Sequence, residues 1–136
     1  KNKFLFKNKN SFVSLRSNGS VVSWGGKKKG KFGGDSSKSQ DDLSSNIIEL
    51  ESTDGAFAAL KEDKTVVIWG HKSYGGINNS KQKGEDKELI NIVKIYSTTK
   101  SFTALKENGL IIAIILLRAR RRILYSLIYH IARELL

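Results

Sequence analysis

The chain has 136 residues, enough for one domain with its own core, and it carries a formal net charge of +11. It contains no cysteine, which excludes a disulfide framework and any cysteine-based metal site or nucleophile. The two histidines, His71 and His130, lie far apart in the sequence, so neither a metal cluster nor a nucleophile with its base is indicated, and we expect no enzymatic activity and no cofactor.

Three similar nine-residue segments follow one another at a spacing of 45 residues, as residues 11–19, 56–64 and 101–109. Upstream of it, residues 47–53 align with residues 92–98 at the same spacing. A period of about 40 to 50 residues is typical of propellers and other repeat arrays, in which units must stack to bury their apolar faces.

This repeat predicts an all-β fold of tandem propeller-like blades of about 45 residues. The array is expected to occupy residues 1–113, with units at about 3–47 and 48–92 and a partial unit at 93–113. These are roughly two and a half to three blades, too few for a closed ring of about four to eight.

Each unit is predicted to contain three short strands followed by a long polar loop. In the middle unit, residues 47–53 alternate apolar and polar side chains, residues 57–60 form a short apolar run, and residues 65–69 are β-branched and aromatic. All three segments have the length and the flanking turn residues of strands.

The turn between the second and third strands contains Asn18-Gly19 in the first copy, which predicts a two-residue primed turn. The middle copy has Asp63-Lys64 at this position. Because a side chain is unfavourable in the left-handed region, we expect the middle turn to be the most strained of the three or to use a longer loop.

Large apolar side chains recur at equivalent positions and predict the core between units. The two tryptophans are expected to act as packing wedges between adjacent sheets, because large aromatic residues at a repeated position usually provide packing area. The predicted core consists of Phe12, Leu15, Trp24, Phe57, Leu60, Trp69, Phe102 and Leu105.

Residues 56–76 read Ala-Phe-Ala-Ala-Leu-Lys-Glu-Asp, a turn, Val-Val-Ile-Trp-Gly and then Tyr-Gly-Gly. This pattern resembles the repeats of the regulator of chromosome condensation family in their short bacterial and algal style. The resemblance covers residues 4–113 and implies β-propeller blades of about four strands. The third copy departs from the pattern, with Ile114-Ile115 where Trp-Gly is expected. The nucleotide-exchange role of the founding member is not transferred, because no exchange loop can be assigned here.

Something must cover the open ends of an incomplete array. We expect self-association of copies through the blade ends, capping by the C-terminal segment, or further blades in a longer array of which this chain is a fragment. The absence of methionine favours the fragment.

Residues 114–136 differ in composition from the array. Lysine is absent after Lys106, whereas five of the six arginines lie from Arg118 onward. A stripe of leucine and isoleucine predicts a C-terminal amphipathic helix. Three interpretations remain open: a helix that caps the last blade, an interfacial membrane helix whose arginines suit anionic headgroups, or an out-of-frame tail without a selected role.

The sequence therefore predicts a non-enzymatic protein–protein interaction scaffold with an unidentified protein partner. The alternative is a basic membrane-surface or nucleic-acid-associated protein that acts through the arginine-rich helix and lysine-rich loops. Lysines that include Lys7 and Lys9 favour attraction of an acidic partner or nucleic acid. Aromatic residues are not interleaved with the lysines, which argues against a single-strand binding surface. The absence of cysteine and of a visible signal peptide favours an intracellular location. The candidate interaction surface consists of Lys27, Lys28, Lys29, Lys31, Arg118, Arg120, Arg121 and Arg122.

Overall fold

The computed structural model describes residues 2–26, 32–76 and 89–113, which form three antiparallel sheets of three strands each. Each sheet is one unit of the repeat, and we call the sheets blades 1, 2 and 3 in chain order. Blade 1 contains β1 (Asn2–Lys7), β2 (Ser11–Arg16) and β3 (Val21–Gly25), blade 2 contains β4 (Ile47–Ser52), β5 (Ala56–Lys61) and β6 (Val66–Gly70), and blade 3 contains β7 (Ile92–Ser97), β8 (Phe102–Lys106) and β9 (Ile111–Ala113).

The predicted all-β fold of tandem blades is confirmed. Within the described residues each blade has three strands, as the residue pattern predicted, and not the four or so that the family resemblance implied. The predicted helix within residues 114–136 lies outside the described residues.

The first strand of every blade carries the same irregularity. The pairing register shifts between Ile47 and Glu49 in β4 and between the equivalent residues of β1 and β7. A bulge leaves one residue unpaired and bends the strand. In blades 2 and 3 this residue is Ile48 and Val93, and both side chains are exposed. The repeat is therefore exact enough to reproduce a local defect of the ladder.

The turn between the second and third strands differs from the prediction. Gly19 N donates to Arg16 O at 3.0 Å, and Arg16 N donates to Ser20 O at 2.9 Å. This is a three-residue loop in which only the last residue has a positive φ, so the predicted two-residue primed turn is wrong. Asn18 uses its side chain instead, because its Oδ1 accepts a hydrogen bond from Ser20 N at 3.0 Å.

Blade 2 has the same loop but places a lysine at its left-handed position. Lys64 has a φ of 67°, where the equivalent Gly19 and Gly109 have 79° and 85°. A Cβ atom in this region costs about 1–2 kcal/mol. Lys64 also pairs with Glu107 of blade 3, but an exposed ion pair contributes little to stability. The middle turn is therefore the strained one, as Asp63-Lys64 predicted.

The apolar core lies between the blades in two clusters, one at each blade–blade contact. Linker residues Leu43 and Leu89, which precede the next blade in the chain, are buried in these clusters. Leu43 O accepts a hydrogen bond from Val21 N at 2.8 Å, so the linker also covers part of the outer edge of β3. Since each cluster needs side chains from two blades, no single blade has a complete core.

Because Lys64 has a positive φ, we expect glycine to be more stable than alanine at this position, which is the reverse of the usual order. We expect Lys64→Gly to have a higher free energy of unfolding than Lys64→Ala, by about 0.5–1 kcal/mol after the greater entropy of glycine in the unfolded chain is included. Both variants lose the ion pair with Glu107, so their difference, measured by urea denaturation, isolates the Cβ. Glu62 in the same turn has no positive φ and provides the control, where alanine should be the more stable variant. Equal stability of the two Lys64 variants would contradict this account.

Candidate protein-interaction surfaces

Adjacent blades are joined by a glycine turn that covers an aromatic pair. The turn that follows blade 1 passes under the Phe57 and Trp69 rings, which lie 5.6 Å apart between centroids. Trp69 Nε1 donates to Gly33 O at 2.9 Å in a buried hydrogen bond. A Cβ on Gly33 would lie 2.6 Å from Phe57 Cδ2, and Gly33 has a φ of 93°. Only glycine therefore allows this approach.

The next contact along the array repeats the approach of a glycine to a phenylalanine ring. A Cβ on Gly75, in the turn that follows blade 2, would lie 3.1 Å from the Phe102 ring of blade 3. An aromatic residue precedes the two glycines in each turn, Phe32 in the first and Tyr74 in the second. Their rings meet edge to face at 6.0 Å. At both blade contacts, therefore, an aromatic–Gly–Gly turn covers the blade that follows it.

Blade 1 presents the same apolar face without a cover. Phe12 and Trp24 stack at 5.9 Å, which reproduces the Phe57–Trp69 pair of blade 2. Together with Leu5 they form a patch that we call the open face. The exposed fractions are 62% for Leu5, 42% for Phe12 and 44% for Trp24, against 3%, 0% and 1% for the equivalent Leu50, Phe57 and Trp69.

A second surface lies at the end of the array where the first turn of each blade is found. These three turns, which join β1 to β2, β4 to β5 and β7 to β8, line an open polar depression of about 690 Å³ that we call the turn cavity. Every blade contributes three residues, and those of successive blades are 45 positions apart. The lining consists of Lys7, Asn8, Lys9, Ser52, Thr53, Asp54, Ser97, Thr98 and Thr99.

The middle lining residue of each turn is engaged with the backbone. Asn8 Oδ1 accepts from Ser11 N at 2.8 Å, and Thr53 Oγ1 accepts from Ala56 N at 3.0 Å. Asn8 and Thr53 also hold the aromatic–Gly–Gly turns of their own blades, because Asn8 Nδ2 donates to the carbonyl of Phe32 and Thr53 Oγ1 to that of Tyr74. The two surfaces are therefore built on one hydrogen-bonded frame.

Charges at the turn cavity are partly paired. Lys9 Nζ lies 2.6 Å from Asp54 Oδ2. The hydrogen bond from Lys9 to Asp54 and the attraction between the two charges raise the pKa of Lys9. The Lys7 side chain is exposed on the same face of blade 1 as its ladder partner Phe12, and it has no carboxylate partner within the described part of the chain. The lining thus keeps one net positive charge.

Comparison with known proteins supports the fold and goes no further. No protein-family model and no curated protein matches the sequence. The structure is similar to yeast RCC1 (Prp20) bound to Kap60, with a TM-score of 0.58 and 20% identity over 83% of this chain and 29% of the yeast chain. A structure of Prp20p from Saccharomyces cerevisiae, described with its binding properties to Gsp1p and histones, matches with a TM-score of 0.51 and 20% identity over 81% of this chain and 30% of that one.

This chain has the RCC1-like repeat fold. The fold that the repeat pattern of residues 56–76 implied is therefore confirmed. The chain spans less than a third of the length of the yeast protein in either structure.

The predicted core residues are not equally buried in the RCC1-like blades. Phe12 and Trp24 are exposed and Leu105 is half-buried, whereas the other predicted positions are buried, namely Leu15, Phe57, Leu60, Trp69 and Phe102. Phe12 and Trp24 belong to the face that a preceding blade would cover. Leu105 belongs to the face that a following blade would cover, and no described blade follows. The expectation that all eight residues are core is therefore corrected at the two ends of the array.

The residues of the predicted basic surface are not among those that the structure describes. Lys27, Lys28, Lys29 and Lys31 and Arg118, Arg120, Arg121 and Arg122 all lie outside the described residues. Among residues 2–26, 32–76 and 89–113, no three histidine, aspartate or glutamate side chains lie close enough to hold a metal ion. No helix in the same residues is long and apolar enough to cross a membrane.

The two tryptophans at equivalent positions allow a matched test of the glycine-turn contact. Trp69→Phe leaves the buried carbonyl of Gly33 without its donor and removes packing volume, so we expect it to lower the free energy of unfolding by about 2–3 kcal/mol. Trp24→Phe changes an exposed ring and should cost less than about 0.5 kcal/mol. Guanidinium denaturation of both variants measures the difference. Similar losses at the two positions would show that the Gly33 contact does not stabilise the array.

Proposed function

We propose that this chain is a non-catalytic protein-interaction scaffold that binds a partner through the open face of blade 1. The observation that carries the proposal is the exposure of Leu5, Phe12 and Trp24, whose equivalents in blade 2 are buried. Contiguous exposed apolar patches are typical of protein contacts. The RCC1-like fold of a yeast protein solved with Kap60 supports a protein partner in general.

The geometry of blade 2 specifies what would fit this face. There, an aromatic–Gly–Gly turn passes under the phenylalanine, and a glycine carbonyl accepts from the tryptophan Nε1. Trp24 Nε1 has no acceptor among the described residues. The partner is therefore another propeller-type blade that ends in an aromatic–Gly–Gly turn.

Both turns of this type in the described chain are already engaged. Gly33 covers Phe57, and Gly75 covers Phe102. A second copy of the chain would have to release one of these contacts before binding the open face. A blade with an unengaged turn, supplied by another chain or by further repeats, has no such cost and is the favoured occupant.

No contact among the described residues supports the alternative function through the basic residues. The eight lysines and arginines of its candidate surface lie outside the described residues. The open face is apolar, whereas surfaces for anionic headgroups or phosphates are built mainly from positive charge.

Extension of the chain by one repeat unit tests the docking mode directly. The extended chain carries a second copy of residues 46–90 directly ahead of Lys1. Because the repeat has a period of 45, residue 1 is equivalent to residue 91, so the copied residue 90 is followed by the same repeat position as in the original chain. The copied Tyr-Gly-Gly turn then reaches the open face. We expect solvent exchange of the Trp24 indole N–H to slow by more than about tenfold, measured by nuclear magnetic resonance, because a buried hydrogen bond protects the proton.

The matched control carries Gly75→Leu in the copied unit only, where a side chain would collide with the Phe12 ring. This control should leave the exchange of the Trp24 proton as fast as in the unextended chain. If the glycine-bearing copy also leaves the exchange unchanged, the open face does not accept a blade and the proposed function fails.

A further inference from the structure

The open face of blade 1 is bordered by a lysine where the other two blades carry a serine. Lys7 is the ladder partner of Phe12. The equivalent serines are paired in the same way, Ser52 with Phe57 and Ser97 with Phe102. Directly opposed residues of an antiparallel pair project to the same side of the sheet. The side chain at this repeat position therefore lies on the face that a preceding blade covers.

The contact between blades 2 and 3 shows what this position meets in a preceding blade. Ser97 Oγ of blade 3 donates to Glu51 Oε2 of blade 2 at 2.8 Å. Blade 1 has Phe6 at the position of Glu51, which offers no acceptor, and at that contact Ser52 Oγ donates to Lys7 O at 3.3 Å. The position of Glu51 thus supplies the side chain that the serine position binds when an acceptor is present there.

We propose that Lys7 selects the blade that docks on the open face, by pairing with an aspartate or glutamate at the position of Glu51 in that blade. This inference rests on the proposed function, because it assigns the chemistry of the partner at the same face. The lysine side chain is flexible and longer than serine, so its ammonium can meet the carboxylate that a serine hydroxyl would reach. A blade with an aromatic residue there, such as Phe6 or Tyr96, leaves the ammonium without a partner.

The charges of blade 1 favour an acidic partner in the same way. Residues 2–26 contain no aspartate or glutamate, and their basic residues are Lys3, Lys7, Lys9 and Arg16. Lys9 is already paired with Asp54 of blade 2, whereas Lys7 has no carboxylate partner in the described part of the chain. A preceding blade with a basic residue opposite Lys7 would therefore be repelled, and one with a carboxylate would be attracted.

The net charge of +11 makes long-range attraction the competing explanation for any preference for an acidic blade. The two explanations differ in how they depend on position. Long-range attraction responds to the charge of any exposed lysine, whereas a pairing across the open face responds to Lys7. Lys100, an exposed lysine in the turn between β7 and β8 of blade 3, provides the charge-matched control.

The extended chain of the preceding subsection contains the proposed pair, because the copied unit brings its own Glu51 ahead of blade 1. Exchange of the Trp24 indole proton measures how often the copied blade leaves the open face. Lys7→Glu places two carboxylates opposite each other, and we expect it to accelerate this exchange by about fivefold. Lys100→Glu makes the same change of net charge and should alter the exchange by less than about twofold.

Reversal of both charges tests the pairing itself. Glu51→Lys in the copied unit alone should accelerate the exchange by about fivefold, because two cations then face each other. Combined with Lys7→Glu, it should return the exchange to within about twofold of that of the unaltered extended chain, because the pair is restored with its charges exchanged. Combined with Lys100→Glu, which gives the same net charge, it should remain as fast as alone. Backbone amide spectra of blades 2 and 3 verify that each variant is folded.

The possible outcomes separate this inference from the proposed function. Rapid exchange of the Trp24 proton in the unaltered extended chain would mean that no blade docks, and both would fail. Slow exchange that responds equally to Lys7→Glu and Lys100→Glu would leave the docking intact and refute the role of Lys7. Loss of protection in Lys7→Glu that Glu51→Lys in the copied unit does not restore would also refute it, because Lys7 would then face another group.

Discussion

The contact between a glycine turn and an aromatic pair determines the rest of this structure. Gly33 brings its backbone against the Phe57 ring and gives its carbonyl to Trp69 Nε1, so one turn satisfies both the apolar and the polar requirement of the pair. A three-stranded sheet with two apolar faces is stabilised when a neighbouring blade covers one of them. The folding of a blade and its association with a neighbour are therefore one process.

Ion pairs follow the same blade-to-blade connections at the surface. Lys9 pairs with Asp54 across the first contact, and Lys94 pairs with Glu49 across the second. Glu49 and Lys94 occupy the same position in successive repeats, with opposite charges. The hydrogen bond and attraction from Glu49 raise the pKa of Lys94. Pairs in which the lysine stays exposed to water add little stability, but they disfavour wrong neighbours in which like charges would meet.

Most of the fold could be predicted from the period of 45 residues. It placed Phe57 and Phe102 at equivalent positions, and it placed the strands correctly because apolar alternation repeats with the same phase. The turn at Asn18-Gly19 differs from its prediction because a primed turn and a type I turn with a terminal glycine accept the same two residues, and only the number of positive φ angles separates them. The strain at Lys64 was predictable since it depends on one residue and its backbone.

The two surfaces were harder to predict because each depends on what surrounds a residue rather than on its type. Phe12 and Phe57 occupy equivalent positions of the repeat. The Phe57 ring is buried because a blade precedes it, whereas the Phe12 ring is exposed. Lys7, Ser52 and Ser97 share a repeat position, but their convergence on one cavity requires that the first turns of all blades lie at the same end. The sequence did contain a signal for this cavity, namely polar residues at three consecutive repeat positions.

The first two 45-residue units each contain both halves of the blade contact, with the aromatic pair on the strands and the glycine turn that follows them. Duplication of one unit in a gene would therefore create a new compatible interface at once, with no compensating substitution elsewhere. Arrays of this kind are free to change in length during evolution, because the recognition between neighbours is inherited with every copy.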